Sequence, residues 1–194
     1  RILSLERGAA DAGTLIHAAF ERVAWTDEAG WAFDGEGAAR DLCARHGVGA
    51  SEAESAVRRV SRALESHGVR DVLSRARYDG ELELWRERAF AARVGAQGEE
   101  SLMRGRFDRV VVGRDDLGAI AWCEVIDFKS EADPSGDVRG AAESYRPQME
   151  AYRAALMSMT GVRAEDVRLT LVFVDRGEVV TLGQSSEAAG SEGS

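Results

Sequence analysis

The sequence predicts an α/β domain of the α+β kind, with a helical amino-terminal part followed by a mixed central sheet flanked by helices. Three observations predict it. Apolar residues recur at helical spacing before residue 80, strand-length runs bounded by turn residues follow it, and a Val/Leu-rich strand comes after a further helix. At 194 residues, 44% hydrophobic and 30% charged, the chain is long enough for one well-packed domain with a sizeable core.

The first helix is expected from Gly13 to Trp25, where Ile16, Phe20 and Val23 share a face, Thr14 is placed to cap the start and His17 lies inside. Two more follow, Glu36 to His46 and Ser51 to Ala76, the second broken near Gly68 and opened by a Ser51/Glu54 capping box. Residues 13–79 are therefore mainly helical. Glu81 to Val94, Leu102 to Val112 and Ala119 to Lys129 read as strands. The breaks Gly95-Ala96-Gln97-Gly98 and Gly113 to Gly118 are short enough for hairpins, which predicts an antiparallel meander. After the Asp133-Pro134-Ser135-Gly136 turn, Ser144 to Met159 reads as a helix with Pro147 tolerated in its first turn. Asp166 to Asp175 is then a buried strand and Glu178 to Leu182 a short edge strand, closing a sheet core over 80–182. Residues 183–194, rich in Gly, Ser, Glu and Ala, read as a disordered tail.

Composition narrows the function. Two cysteines, Cys43 and Cys123, are too few for a disulfide framework or a four-cysteine cluster, so a reducing, cytoplasmic setting is expected. No run approaches the roughly 18 apolar residues of a membrane span, and no secretory leader opens the chain. It begins with Arg rather than Met and enters a helix almost at once, which reads as a piece cut from a longer protein. A net charge of −9 argues against holding nucleic acid by bulk electrostatics alone. The clusters Arg58/Arg59/Arg62, Arg104/Arg106/Arg109 and Arg146/Arg153 read mostly as solvated surface.

Among 25 Lys and Arg there is one lysine, Lys129. Arg cannot give up its proton in a protein, whereas the Lys ammonium is a compact charge whose pKa moves on desolvation, so chemistry is one reason to keep it. It follows Phe128 rather than a glycine, which excludes a GxxxxGK[ST] phosphate loop and a nucleotide bound in that way. Strand alternation puts Val125, Asp127 and Lys129 on one face and Ile126 and Phe128 on the other. Asp108, on the preceding strand, supplies a second carboxylate, and His17 an imidazole. Two neighbouring carboxylates repel unless a cation neutralises them, and a hard, oxygen-rich site with one imidazole suits Mg²⁺ or Mn²⁺. Tyr145, Gln148 and Tyr152 form one helical stripe of two phenols and an amide. Glu87 reads as solvated or salt-bridged.

The motifs Gly13-Thr14-Leu15-Ile16-His17, Arg104-Gly105-Arg106-Phe107-Asp108-Arg109, Asp127-Phe128-Lys129 and Gln148-Met149-Glu150-Ala151-Tyr152, in that order, resemble the RecB-like nucleases of the PD-(D/E)XK superfamily. The likeness is to the carboxy-terminal nuclease domain of RecB and AddA helicase–nucleases, over about Gly13 to Leu182. It implies a restriction-endonuclease-like core, a nuclease domain over 1–182 and an Mg²⁺- or Mn²⁺-dependent exonuclease or endonuclease acting on DNA, as single strand or duplex end. Glu87 also looks like the acidic residue that often precedes the family's aspartate strand. With two cysteines, the chain resembles the branch without an iron–sulfur cluster.

Carried to these positions, the resemblance makes Asp108, Asp127, His17 and the Phe128 carbonyl metal ligands, with Asp108, Asp127 and Lys129 catalytic. Lys129 would orient and help deprotonate the attacking water and offset charge on the phosphate. Gln148, Tyr152 and Tyr145 would brace the lysine or touch the DNA backbone, the alternative being helix-to-sheet packing. The implied setting is a DNA-repair helicase–nuclease, with a covalently attached motor that feeds DNA, a partner subunit and no membrane, associated with the nucleoid while acting. The competing reading is an inactive nuclease-like scaffold or DNA-positioning module, and a phosphodiesterase for another substrate is a third.

Overall fold

The computed structural model describes residues 11–94, 101–130 and 137–183. Helices α1 (Ala12–Phe20), α2 (Gly35–His46), α3 (Ala50–Ala63) and α4 (His67–Val72) precede strands β1 (Glu81–Val94), β2 (Ser101–Arg114) and β3 (Ile120–Lys129). Then come α5 (Val138–Ser144), α6 (Arg146–Thr160), β4 (Val167–Phe173) and β5 (Glu178–Leu182). The five strands form one mixed sheet in sequence order. The expected meander is present: β1 pairs antiparallel with β2, and β2 with β3. β3 and β4 are parallel, with α5 and α6 in the crossover that a parallel pair requires, and β5 is an antiparallel edge. The turns expected at Gly95–Gly98 and Asp133–Gly136, and all of the expected tail except Gly183, lie outside the described residues.

The sheet is covered on both faces, so β3 is buried continuously from Cys123 to Phe128. Ile126 and Phe128 face the amino-terminal helices, packing with Leu15, Ile16 and Phe20, while Val125 faces α6 with Met149, Tyr152 and Leu156. Phe128 stacks on Phe20 with ring centroids 4.1 Å apart, fixing α1 against the end of β3.

Helix boundaries differ from expectation for local reasons. Asp11, not Thr14, caps α1: its carboxylate accepts from the Thr14 backbone N–H at 2.8 Å and from the Thr14 hydroxyl. At α3 the cap lies two residues earlier than expected, with Glu52 accepting from the Gly49 N–H at 3.0 Å in place of a Ser51/Glu54 box. The break between α3 and α4 falls at Leu64–Ser66, and Gly68 is inside α4. Helix α5 was not expected: it is only about two turns, and its Gly140 weakens the helical signal.

The two thiols are placed differently. Cys43 is partly exposed on α2, whereas Cys123 is 1% exposed and burial pushes its pKa up to about 12. Iodoacetamide on the native protein should therefore modify Cys43 and spare Cys123, and both should react in denaturant. Mass spectrometry of the alkylated chain checks this, and native labelling of Cys123 would contradict the packing of β3.

Candidate metal centre

The site is assembled from α1, β1, β2, β3 and α6. Gly13 lets the start of α1 approach the end of β3, because a Cβ there would lie 3.2 Å from Ser130 Oγ. One turn later His17 reaches Phe128: its Nε2 is 2.8 Å from the Phe128 carbonyl oxygen, and its Nδ1 is 3.2 Å from Asp108 Oδ1. Asp108 is held in turn by the Phe128 backbone N–H, which donates to Oδ2 at 3.0 Å.

Glu87 joins them through a backbone device. It is the one non-glycine among the described residues with positive φ, at 47°. Before it, Leu82 and Leu84 face the amino-terminal helices; beyond it, Phe90 and Ala92 face α6. The strand thus exchanges faces at Glu87 and turns that carboxylate toward His17 and Asp108. Donor atoms of His17, Glu87 and Asp108 lie within 4.8 Å of one another, the kind of group that can hold a metal ion.

Asp127 and Lys129 stand beside this group on β3. Lys129 Nζ is 2.7 Å from Asp127 Oδ2, and the Asp127 side chain is 2% exposed. Apart from this ion pair, that buried oxygen has no hydrogen-bond partner. Lys129 donates instead to Gln148 Oε1 at 2.8 Å, Gln148 Nε2 donates to the Tyr152 hydroxyl at 2.9 Å, and the Lys129 ammonium lies 4.3 Å from the Tyr145 ring centroid. Tyr152 is buried against Phe90 and Phe107 of the sheet, the helix-to-sheet packing expected as the alternative, while its hydroxyl accepts from the Gln148 amide that holds the lysine.

Electrostatics marks the same spot. Burial and the nearby Asp108 charge push the Asp127 carboxyl above its usual range, against the pull of Lys129. Burial and Asp108 likewise raise Glu87. For His17, burial works against the charged ring, but its contact with Asp108, the charge of Asp127 and the Phe128 carbonyl outweigh it and raise its pKa to about 9. The two carboxylates and imidazole of the His17, Glu87 and Asp108 group, with the buried Asp127 carboxylate beside them, are a donor set that a divalent cation fits. The imidazole must release its proton before its nitrogen can ligate.

Three arginines read as surface are not solvated: Arg153 on α6 is 7% exposed and donates to both Glu150 carboxylate oxygens, and the other two tie distant parts of the chain together. Arg109 is 2% exposed and donates to the carbonyls of Val23 at 2.8 Å and Ala24 at 2.5 Å, under the Trp25 ring; burial pulls its pKa down to about 10. Arg59 on α3 grips Asp175 through both carboxylate oxygens at 2.6 Å and donates to the Ser130 carbonyl at 2.5 Å. It ties the helical part to the chain just after Lys129. The Val174 N–H also donates to the Lys129 carbonyl, at 2.9 Å, so Arg59 clamps the segments that leave β3 and β4 beside that residue. Arg59→Ala should slow any Lys129-dependent turnover by about 10-fold to 100-fold with little change in substrate affinity. Separate kcat and KM measurements check this, and a change confined to KM would contradict it.

An α+β domain with an acidic candidate metal centre beside its one lysine defines the class. A profile of the PD-(D/E)XK nuclease superfamily matches residues 2–192, and the chain belongs to that superfamily, whose members are in general metal-dependent nucleases. Comparison with curated proteins finds no match. Among the described residues no helix is long and apolar enough to cross a membrane.

Proposed function

We propose that this chain is a divalent-metal-dependent DNA nuclease of the RecB-like branch, working as the nuclease domain, residues 1–182, of a helicase–nuclease in DNA repair or recombination. The observation that carries the nuclease reading is the Lys129 ammonium, fixed 2.7 Å from Asp127 and 2.8 Å from Gln148 beside the His17, Glu87 and Asp108 group. The order of the four motifs supports the RecB-like branch. The net charge of −9 suits a nuclease supplied with DNA by an attached motor.

His17, Asp108, Asp127, the Phe128 carbonyl and Glu87 are the groups that would hold Mg²⁺ or Mn²⁺. When bound, such an ion makes water more acidic and neutralises phosphate charge. The remaining work falls to side chains. Lys129, held by Gln148 and backed by Tyr152, orients the attacking water and hydrogen-bonds the phosphate oxygen on which charge develops. Its aim is set before substrate arrives, because Tyr145 and Asp127 close two further sides of the ammonium. Cleavage of the P–O3′ bond leaves a 5′-phosphate and a 3′-hydroxyl.

Incubation of end-labelled single-stranded DNA, RNA and a small aryl phosphodiester with Mn²⁺ tests the assignment. DNA fragments bearing 5′-phosphates are expected. Turnover of the small diester alone would replace the nuclease reading with that of a phosphodiesterase.

A further inference from the structure

The β1–β2 ribbon runs beyond the part of β2 that β3 covers: β3 pairs only with Arg109 to Arg114, whereas β1 pairs with β2 from Arg114 to Ser101. One face of this extension is occupied. Phe90, Ala92 and Phe107 pack toward α6, and a Cβ at Gly105 would collide with the Phe90 ring. Alternation places Arg104 and Arg106 on the other face, in line with Asp108. The side-chain geometry agrees, since Arg106 Nη1 is 3.4 Å from Glu87 Oε2, and Glu87 belongs to the group with His17 and Asp108.

Across the ladder from these arginines stand two alanines, with Ala89 paired to Arg106 and Ala91 to Arg104. All four residues are exposed. The result is a low floor on which Arg104 and Arg106 stand in line along β2, starting at the candidate metal centre, with Arg93 of β1 on the same face at the far end. Successive side chains on one face are about 6.8 Å apart, so the line from Arg106 to Arg104 follows one strand of the ribbon and suits one phosphodiester backbone rather than the two of a duplex. The Arg106 pair with Glu87 is long and the Arg106 side chain is 61% exposed, so the pair is weak and easily redirected to a phosphate.

We infer that this outward ribbon face, through Arg104 and Arg106 above Ala89 and Ala91, holds the backbone of a single DNA strand on its way to the centre formed by His17, Glu87 and Asp108. The inference rests on the nuclease reading and extends it to the substrate path. In a chain with a net charge of −9, phosphate must be met by a local cationic row of this kind.

The test is anisotropy of a labelled single-stranded oligonucleotide across a salt series with Ca²⁺ present. It compares the chain with Arg104→Gln/Arg106→Gln and with Arg40→Gln/Arg58→Gln, an equal charge change on α2 and α3. Removing one cation that binds a phosphate lowers the slope of log affinity against log salt by about 0.7 for single strands, so the slope should fall by about 1.4 in the ribbon variant and stay unchanged in the control. An unchanged slope in the ribbon variant, or an equal fall in the control, overturns the inference. The expected slopes together with no DNA cleavage in Mg²⁺ or Mn²⁺ would uphold the ribbon and remove the nuclease reading; cleavage with an unmoved slope would do the reverse.

Discussion

Replacing Lys129 by alanine should lower the rate of metal-dependent DNA cleavage by about 10²-fold to 10⁴-fold, the range for losing a positioned acid–base or charge-stabilising group. Strand affinity should change little, because the Lys129 side chain is only 13% exposed and its ammonium lies against Asp127, Gln148 and Tyr145. Arginine should not rescue: its planar fork cannot occupy the space of a compact ammonium between those partners. Gln148→Ala should lose less, since it removes the brace and leaves the charge. Single-turnover cleavage of one labelled strand under saturating metal measures all three, and a Lys129→Ala rate within twofold of the parent would remove the lysine from the chemistry.

The second large effect is thermal. A ligand present at a hundred times its Kd stabilises the folded state by about 2.7 kcal/mol. For a domain of this size each kcal/mol moves Tm by about 2–4 °C, so saturating Mn²⁺ should raise it by about 5–10 °C. Asp108→Asn should abolish the shift. Asp108, on β2, touches His17, receives the Phe128 N–H and belongs to the group with Glu87, so it links α1, β1 and β3 at the centre. Calorimetry with and without Mn²⁺ decides it, and an equal rise in parent and variant would place the metal elsewhere.

The sequence made the middle of this site legible through simple periodicity. Alternation along β3 put Asp127 and Lys129 on one face, and the structure has their charged atoms 2.7 Å apart. Helical spacing put Gln148 and Tyr152 on one stripe, where they hydrogen-bond each other. Glu87 was not legible by that rule. Counting from Trp85, which faces α6, alternation sends Glu87 to the same side, away from His17; the positive φ at Glu87 reverses this. Such a conformation has no signature in a residue that seldom adopts it. Arg59 and Arg109 were hidden for another reason, because their partners are backbone carbonyls and an aspartate distant in sequence, whereas charge clustering speaks only for neighbours.

The most direct test is cleavage of end-labelled linear DNA in Mg²⁺ or Mn²⁺ by the chain and by Asp127→Ala, with a chelator as control. Metal-dependent fragments from the chain, absent with the chelator and in the variant, are the predicted result. Fragments that persist in the variant at the parent's rate, or no cutting by the chain in either metal, would contradict a metal-dependent nuclease centred on Asp127 and Lys129.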